Sequence, residues 1–312
     1  MATVSKRNGL IELFRFLCSL WVAYFHGFSP VLTDKFNGVI APVDFFFIVC
    51  GFFFLQSMER YKDSRFIEGV KFIFWGKTKR FIVPLAIAAF SVFLCNILVK
   101  MDTGFNWPLS FLWFFAGQFV YSTFFYVLYK KIKRRYVFNI VCGVVICLSM
   151  SFFKLGFSVV DIPARGTAMI ALGILISQIP KISIKLKDEI KAKRLTIFIN
   201  TVGFVISALA SIYLAYLPGY AVWKLHLLCC VAYFGLVYFA TALPVHSKVL
   251  NFLGEISIFI YLAQCPIILH YYLAVHDTKA QFWPLVVCAA LLFIINRVVN
   301  KLVKKRAARL VA

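Results

Sequence analysis

The chain has 312 residues and a formal net charge of +22, with 62% hydrophobic and 18% aromatic residues. A mean hydropathy of +0.87 excludes a soluble globular domain, in which apolar residues make up about half of the chain. The composition points to an integral membrane protein, and long apolar runs without period-two alternation select an all-α fold over a β-barrel.

The opening MATVSKRNG carries positive charge. The apolar run behind it is too long for a signal-peptide core and lacks a small-residue cleavage site, so it is expected to stay as the first span. Runs near the roughly 20 residues needed to cross a bilayer lie at 10–28, 39–55, 81–99, 107–128, 137–153, 166–179, 195–217, 222–243, 249–273 and 282–299. The expectation is a polytopic protein of about ten transmembrane helices in a single membrane domain, residues 1–312. The short second and sixth runs are expected to be enclosed by their neighbours. With the N-terminus inside, 27 of the 34 Lys and Arg fall on the inner side and six on the outer. Cytoplasmic loops carry such an excess, which places both termini in the cytoplasm. This topology, together with anionic lipid headgroups, accounts for the net charge and leaves nucleic acid out as a partner.

Within the first run, LFRFLCSLWVAYFHGF, two residues are out of place: Arg15 and His26. A cation near the middle of a bilayer costs at least about 2.5 kcal/mol and marks a functional site by default. Ten residues separate the pair, which puts them on one helical face, three turns and roughly 16 Å apart. Arg15 lies near the inner end and His26 near the outer. Glu12, three residues before Arg15, is spaced to neutralise it.

The second run, in APVDFFFIVCGFF, brings Asp44 to the depth of His26. A carboxylate accepting one ring N–H fixes the imidazole tautomer and leaves the other nitrogen to take a proton from a hydroxyl. The plainer alternative is an interfacial histidine satisfied by backbone or water. Between the second and third runs, RFIEGVKFIFWGKTKR places Phe66, Ile67, Val70, Ile73 and Phe74 on one stripe. An interfacial amphipathic helix near 64–78 is expected, delivering Lys77, Lys79 and Arg80 to the inner mouth of the third span. Those cations either anchor the loop or bind a phosphorylated cytoplasmic ligand. In DIPARG, Arg165 at the outer start of the sixth run either binds the acceptor or pairs with Asp161 one turn back.

All nine cysteines fall within apolar runs, with no CxxC pair and no His/Cys cluster at zinc spacing. They read as small packing residues, with no metal site and no disulfide framework. Cys18 and Ser19 have nothing basic at helical contact spacing, so no covalent nucleophile is forced.

The R-x10-H pair, PVDFFFIVCGFFFL, GKTKRFIVP, LSFLWFF and LGEISIFIYLAQCPII occur in that order over nearly the whole chain. In this order they resemble the signatures of acyltransferase family 3, bacterial membrane O-acyltransferases that modify polysaccharides and lipid-linked sugars. The resemblance implies transfer of an acyl group, usually acetyl, from acyl-CoA to a sugar hydroxyl at the bacterial cytoplasmic membrane. Acetyl-CoA would be the co-substrate and a saccharide the acceptor. Arg15 and His26 match the family's essential pair, and Lys77 and Arg80 match its basic RxxR-like element. Lys77 keeps the charge of the usual arginine without its bidentate fork, and Gln264 stands where histidine is frequent. The chain is expected to lack the hydrolase-like domain that some members append, leaving the acceptor to the membrane domain or a separate partner. The rival class is a polysaccharide exporter or small-molecule transporter. The sequence shows neither the internal repeat nor the paired broken helices such a protein would favour.

Overall fold

Regular structure among the described residues is entirely helical. The computed structural model describes residues 7–28, 40–61, 63–72, 86, 89–90, 112–154, 158–215, 222–274 and 282–311. The helices are α1 (Gly9–Phe28), α2 (Ile40–Arg60), α3 (Phe66–Lys71), α4 (Leu112–Lys131) and α5 (Arg135–Lys154). They continue with α6 (Ser158–Gln178), α7 (Glu189–Ala215), α8 (Val222–Ala242), α9 (Lys248–Ala274) and α10 (Phe282–Val311). Nine of the ten apolar runs therefore carry a described helix, while the run at 81–99 lies largely outside the described residues.

Several boundaries differ from the hydropathy reading, two of them by eight residues or more. Helix α6 begins at Ser158 instead of 166, which sets Arg165 two turns inside the helix. Helix α10 continues to Val311, well past 299, through a basic stretch. Hydropathy marks where a helix is apolar. Backbone hydrogen bonding carries the helix on through polar residues with good helix propensity.

The short second and sixth runs are enclosed, as their length suggests. Helices α2 and α6 cross in direct backbone contact. A Cβ on Gly51 would strike the carbonyl oxygen of Ile170, and one on Gly173 would strike that of Ile48. Two glycines facing each other's helices let the axes approach closely, the packing device of helices surrounded by lipid. Phe45, Ile48, Phe54, Ala168, Ile170 and Ile174 fill the core around this crossing, each fully buried.

Helix α1 packs chiefly on α9, α7 on α8, and α5 on α6. Its start is fixed by Asn8, whose Oδ1 accepts the backbone N–H groups of Leu10 and Ile11 at 3.0 and 3.2 Å. That is an N-cap. The same side chain donates through Nδ2 to the carbonyls of Ala240 and Leu243 at 2.8 and 2.9 Å, satisfying the end of α8.

Most polar contacts between helices gather at one end of the bundle. Glu255 takes Arg7 at 3.0 Å and Arg297 at 3.6 Å, and Glu59 takes Arg135 at 3.2 Å. Arg135 Nε also donates to Gln178 at 2.8 Å, and Lys130 donates to the Ser64 carbonyl at 2.7 Å. This end unites the starts of α1, α5 and α9 with the ends of α2, α6 and α8, so consecutive helices run antiparallel.

Two stretches are long and apolar enough to cross a membrane by length and composition, Pro42–Glu59 and Glu189–Leu214. They are opposites in burial, 67% against 11%. Along α7, Phe198, Ile206, Leu209 and Tyr213 stand exposed in a continuous apolar surface, far more than a water-facing helix carries.

Candidate active site

Arg15 and Asp44 are carried by neighbouring helices and stand at different levels of the bundle. Arg15 lies two turns into α1. Its guanidinium donates to Glu12 Oε2 at 2.9 Å, and the Glu12 side chain is only 9% exposed. The carboxylate is sunk into α9 at Gly254, where a Cβ would overlap Glu12 Oε2. A glycine on the facing helix thus makes the slot that holds the acid, and the acid in turn holds Arg15. The Glu12 pairing expected from spacing is present, with α9 enclosing it.

Moving outward along α1, Cys18, Ser19, Val22 and Ala23 are buried. This is the strip between Arg15 and His26. His26 belongs to α1 by its backbone, and its side chain lies outside the described residues, as do those of Asp161 and Gln264. Lys77, Lys79 and Arg80 also lie outside the described residues. The short helix that leads to them, α3, is present: Phe66 stacks on Tyr126 at 5.8 Å, and Gly69 admits the Tyr126 hydroxyl against its backbone.

Asp44, near the start of α2, is fully buried. Its Oδ1 accepts a hydrogen bond from Arg165 Nε on α6 at 2.6 Å, and the Arg165 side chain is 11% exposed. The contact described for Arg165 is with Asp44 on α2, a partner that the sequence reading did not pair with it; the Asp161 side chain lies outside the described residues. Such a charge-assisted bond in a dry environment is strong and geometrically specific. Around it stand Phe45, Tyr233, Cys229 and Cys230, with the Tyr233 ring tilted against that of Phe45 at 5.6 Å.

Three residues at or near this axis carry no sequence signal. Gly254 and Tyr233 matter only because α9 and α8 come to lie beside α1 and α2. Lys181, in the α6–α7 connection, donates to the Thr241 hydroxyl at 2.6 Å and the Tyr238 carbonyl at 3.1 Å. It also stands 4.3 Å over the Tyr238 ring and 5.3 Å over that of Phe52. Burial pushes its ammonium down to about 8.

The arrangement can do two things chemically. A rigidly held arginine can bind an anion or a polarised carbonyl, and a buried carboxylate can orient a neighbouring donor. The strip of α1 between them is closely packed. Comparison with curated proteins and with solved structures gave no match. A family model described as an acyltransferase domain matches residues 8–299, nearly the whole chain. That span takes in the α1 pair, Asp44, Arg165 and the Gly254 slot, and the chain is accordingly a member of acyltransferase family 3, an acyltransferase.

Proposed function

We propose that the protein is a membrane-embedded O-acyltransferase that moves an acetyl group from cytoplasmic acetyl-CoA to a hydroxyl of an extracytoplasmic or lipid-linked saccharide. The observation that carries this reading is the single face of α1. It bears Arg15, locked by Glu12, near the end that gathers most of the polar contacts, and it leads along a buried strip to the level of Asp44. In this reading the chain spans the bacterial cytoplasmic membrane about ten times with both termini inside, as the 27-to-6 partition of basic residues favours.

The donor enters from the basic inner face, with its phosphates near Arg80, Lys77 and Lys79. The pantetheine arm passes Arg15 and brings the thioester toward His26. His26 is the general base: it removes the proton of the acceptor hydroxyl as the oxygen attacks the thioester carbonyl. Asp44 orients the imidazole, and Arg165 fixes Asp44 from α6 while lining the acceptor's approach from outside.

The test is radiolabelled acetyl-CoA supplied to inside-out vesicles. The expected result is label in a saccharide fraction, lost on His26→Ala by about 10² to 10⁴-fold, the usual contribution of a general base. Unmodified sugar crossing the membrane without label transfer, or wild-type turnover by His26→Ala, overturns the proposal.

A further inference from the structure

Tyr126 lies on α4, toward the end of the bundle that gathers the polar contacts, and is 1% exposed. Helix α3 covers it. The Phe66 ring stacks on its ring at 5.8 Å and 23°, and the bare backbone of Gly69 lies against its hydroxyl. One turn back along α4 stands Thr123. Among the described residues, the hydroxyls of Tyr126 and Thr123 are both buried without a hydrogen-bond partner.

Positions three and four apart share a helical face, so Thr123, Tyr126 and Lys130 form one stripe about 10 Å long. The cation is at its mouth, where Lys130 Nζ donates to the carbonyl of Ser64, two residues before α3, at 2.7 Å. A buried hydroxyl left unpaired is unfavourable. Phenylalanine and valine would fill the two places without that penalty, and a chain with 36 Phe to 14 Tyr uses the first freely. Two such hydroxyls in line behind a cation fit groups whose partners come from outside the chain. Their cover is light: α3 has six residues, and Gly69 meets the Tyr126 hydroxyl through backbone alone. Lys77 follows six residues after Lys71, so the chain holds it within about 20 Å of the end of α3.

We propose that this stripe of α4 binds the pantetheine arm of acyl-CoA, with the Tyr126 and Thr123 hydroxyls pairing with its amide groups once α3 swings aside. The inference rests on the acyl-CoA reading given above and names residues that hold the donor's arm. The chemistry of the ligand matches the order of the stripe. Coenzyme A has an anionic head, which that reading places at Lys77, Lys79 and Arg80, and a flexible arm with two secondary amides. Each amide offers a carbonyl acceptor and an N–H donor, and a hydroxyl can serve either. No bond to the acyl group forms or breaks here, so the two residues act on donor binding and leave the chemical step to His26.

Tyr126→Phe and Thr123→Val remove the oxygens and keep the shapes. Acetyl transfer from labelled acetyl-CoA is measured in membranes, normalised for protein amount, with kcat and the KM for acetyl-CoA determined separately. Each variant is expected to raise KM about 3 to 10-fold, the worth of one hydrogen bond, with kcat unchanged within about twofold. Inhibition by adenosine bisphosphate, the half of coenzyme A that lacks the arm, should be as strong as in wild type. Thermal unfolding of the ligand-free protein in detergent should show no loss of stability, since neither oxygen has a partner to lose. Wild-type KM in both variants overturns the inference. So does equal weakening of adenosine bisphosphate, which assigns the hydroxyls to the head, or a lowered unfolding temperature, which assigns them to the fold. Absence of transfer from acetyl-CoA by the wild-type protein is a different failure, that of the acyl-CoA reading itself.

Discussion

At Arg15 the fork of the guanidinium matters as much as its charge. It is held at 2.9 Å by a carboxylate that α9 confines, and an ammonium on a flexible stem cannot reproduce that fixed direction. Arg15→Lys should therefore lose most transfer activity while the protein accumulates normally; full activity would reduce the residue's role to charge alone. The confinement itself is testable through Gly254. Gly254→Ala should drive the Glu12 carboxylate out of its slot and depress turnover at least tenfold, and the shorter acid in a Gly254→Ala, Glu12→Asp double mutant should restore part of it. A double mutant no better than Gly254→Ala would detach the slot from Arg15. Lys181 adds a pH signature. Its ordinary value is near 10.4 and the fold lowers it to about 8. Between those values the unfolded chain holds the proton and the folded one does not, so this group's contribution to stability rises with pH across that window. Thermal unfolding in detergent should show wild type gaining on Lys181→Met from pH 8 to 10, and parallel curves would exclude it. Arg15 and Asp44 stood out in the sequence because a charge inside an apolar run is rare, and the structure holds each in an ion pair. Tyr233 and Gly254 did not, since among 14 tyrosines and 16 glycines only the helix placed opposite distinguishes them.

The pair α2 and α6 is the element on which the outer half of the site depends. Two glycines bring the backbones together and the Asp44–Arg165 bond ties them. Gly173→Val would push a branched side chain into the Ile48 carbonyl, and overpacking of this kind typically costs about 1–3 kcal/mol. Arg165→Leu would leave Asp44 as a buried charge without its guanidinium, a loss of about 3–5 kcal/mol, whereas Arg165→Leu with Asp44→Asn should recover much of it. Heat inactivation of solubilised protein should rank the double above the Arg165 single; equal losses would mean that the two charges do not act as one unit. The sequence located both helices and their enclosure from run length. It could not pair them, because facing glycines three positions beyond Ile48 and Ile170 carry no mark of which helix they face.

For the whole molecule, the antiparallel order and the gathered polar end agree with the topology drawn from basic residues, and that topology makes a direct prediction. Single cysteines near Lys131 and Lys187 should label only from the cytoplasmic side, and those near Lys35 and Lys279 only from outside. Outside labelling near Lys187 in intact cells would sink the ten-span arrangement. Nine of the ten apolar runs carry a described helix, so the helices were legible in the sequence, whereas the neighbour relations were not: the first helix packs on the ninth, a partner more than 200 residues away.

That last pairing has a consequence for synthesis. At about 5–20 residues per second, α1 leaves the ribosome tens of seconds before Gly254 does. In a chain inserted as proposed, the arginine must during that interval sit in or beside lipid without the helix that will later enclose it. Glu12 is only three residues away, so the pair can form within the nascent helix and cancel the charge at the moment of insertion. On this view the acid has two successive duties, chaperoning the arginine into the bilayer first and aiming it afterwards. The slot that confines Glu12 stays open until the ninth helix arrives.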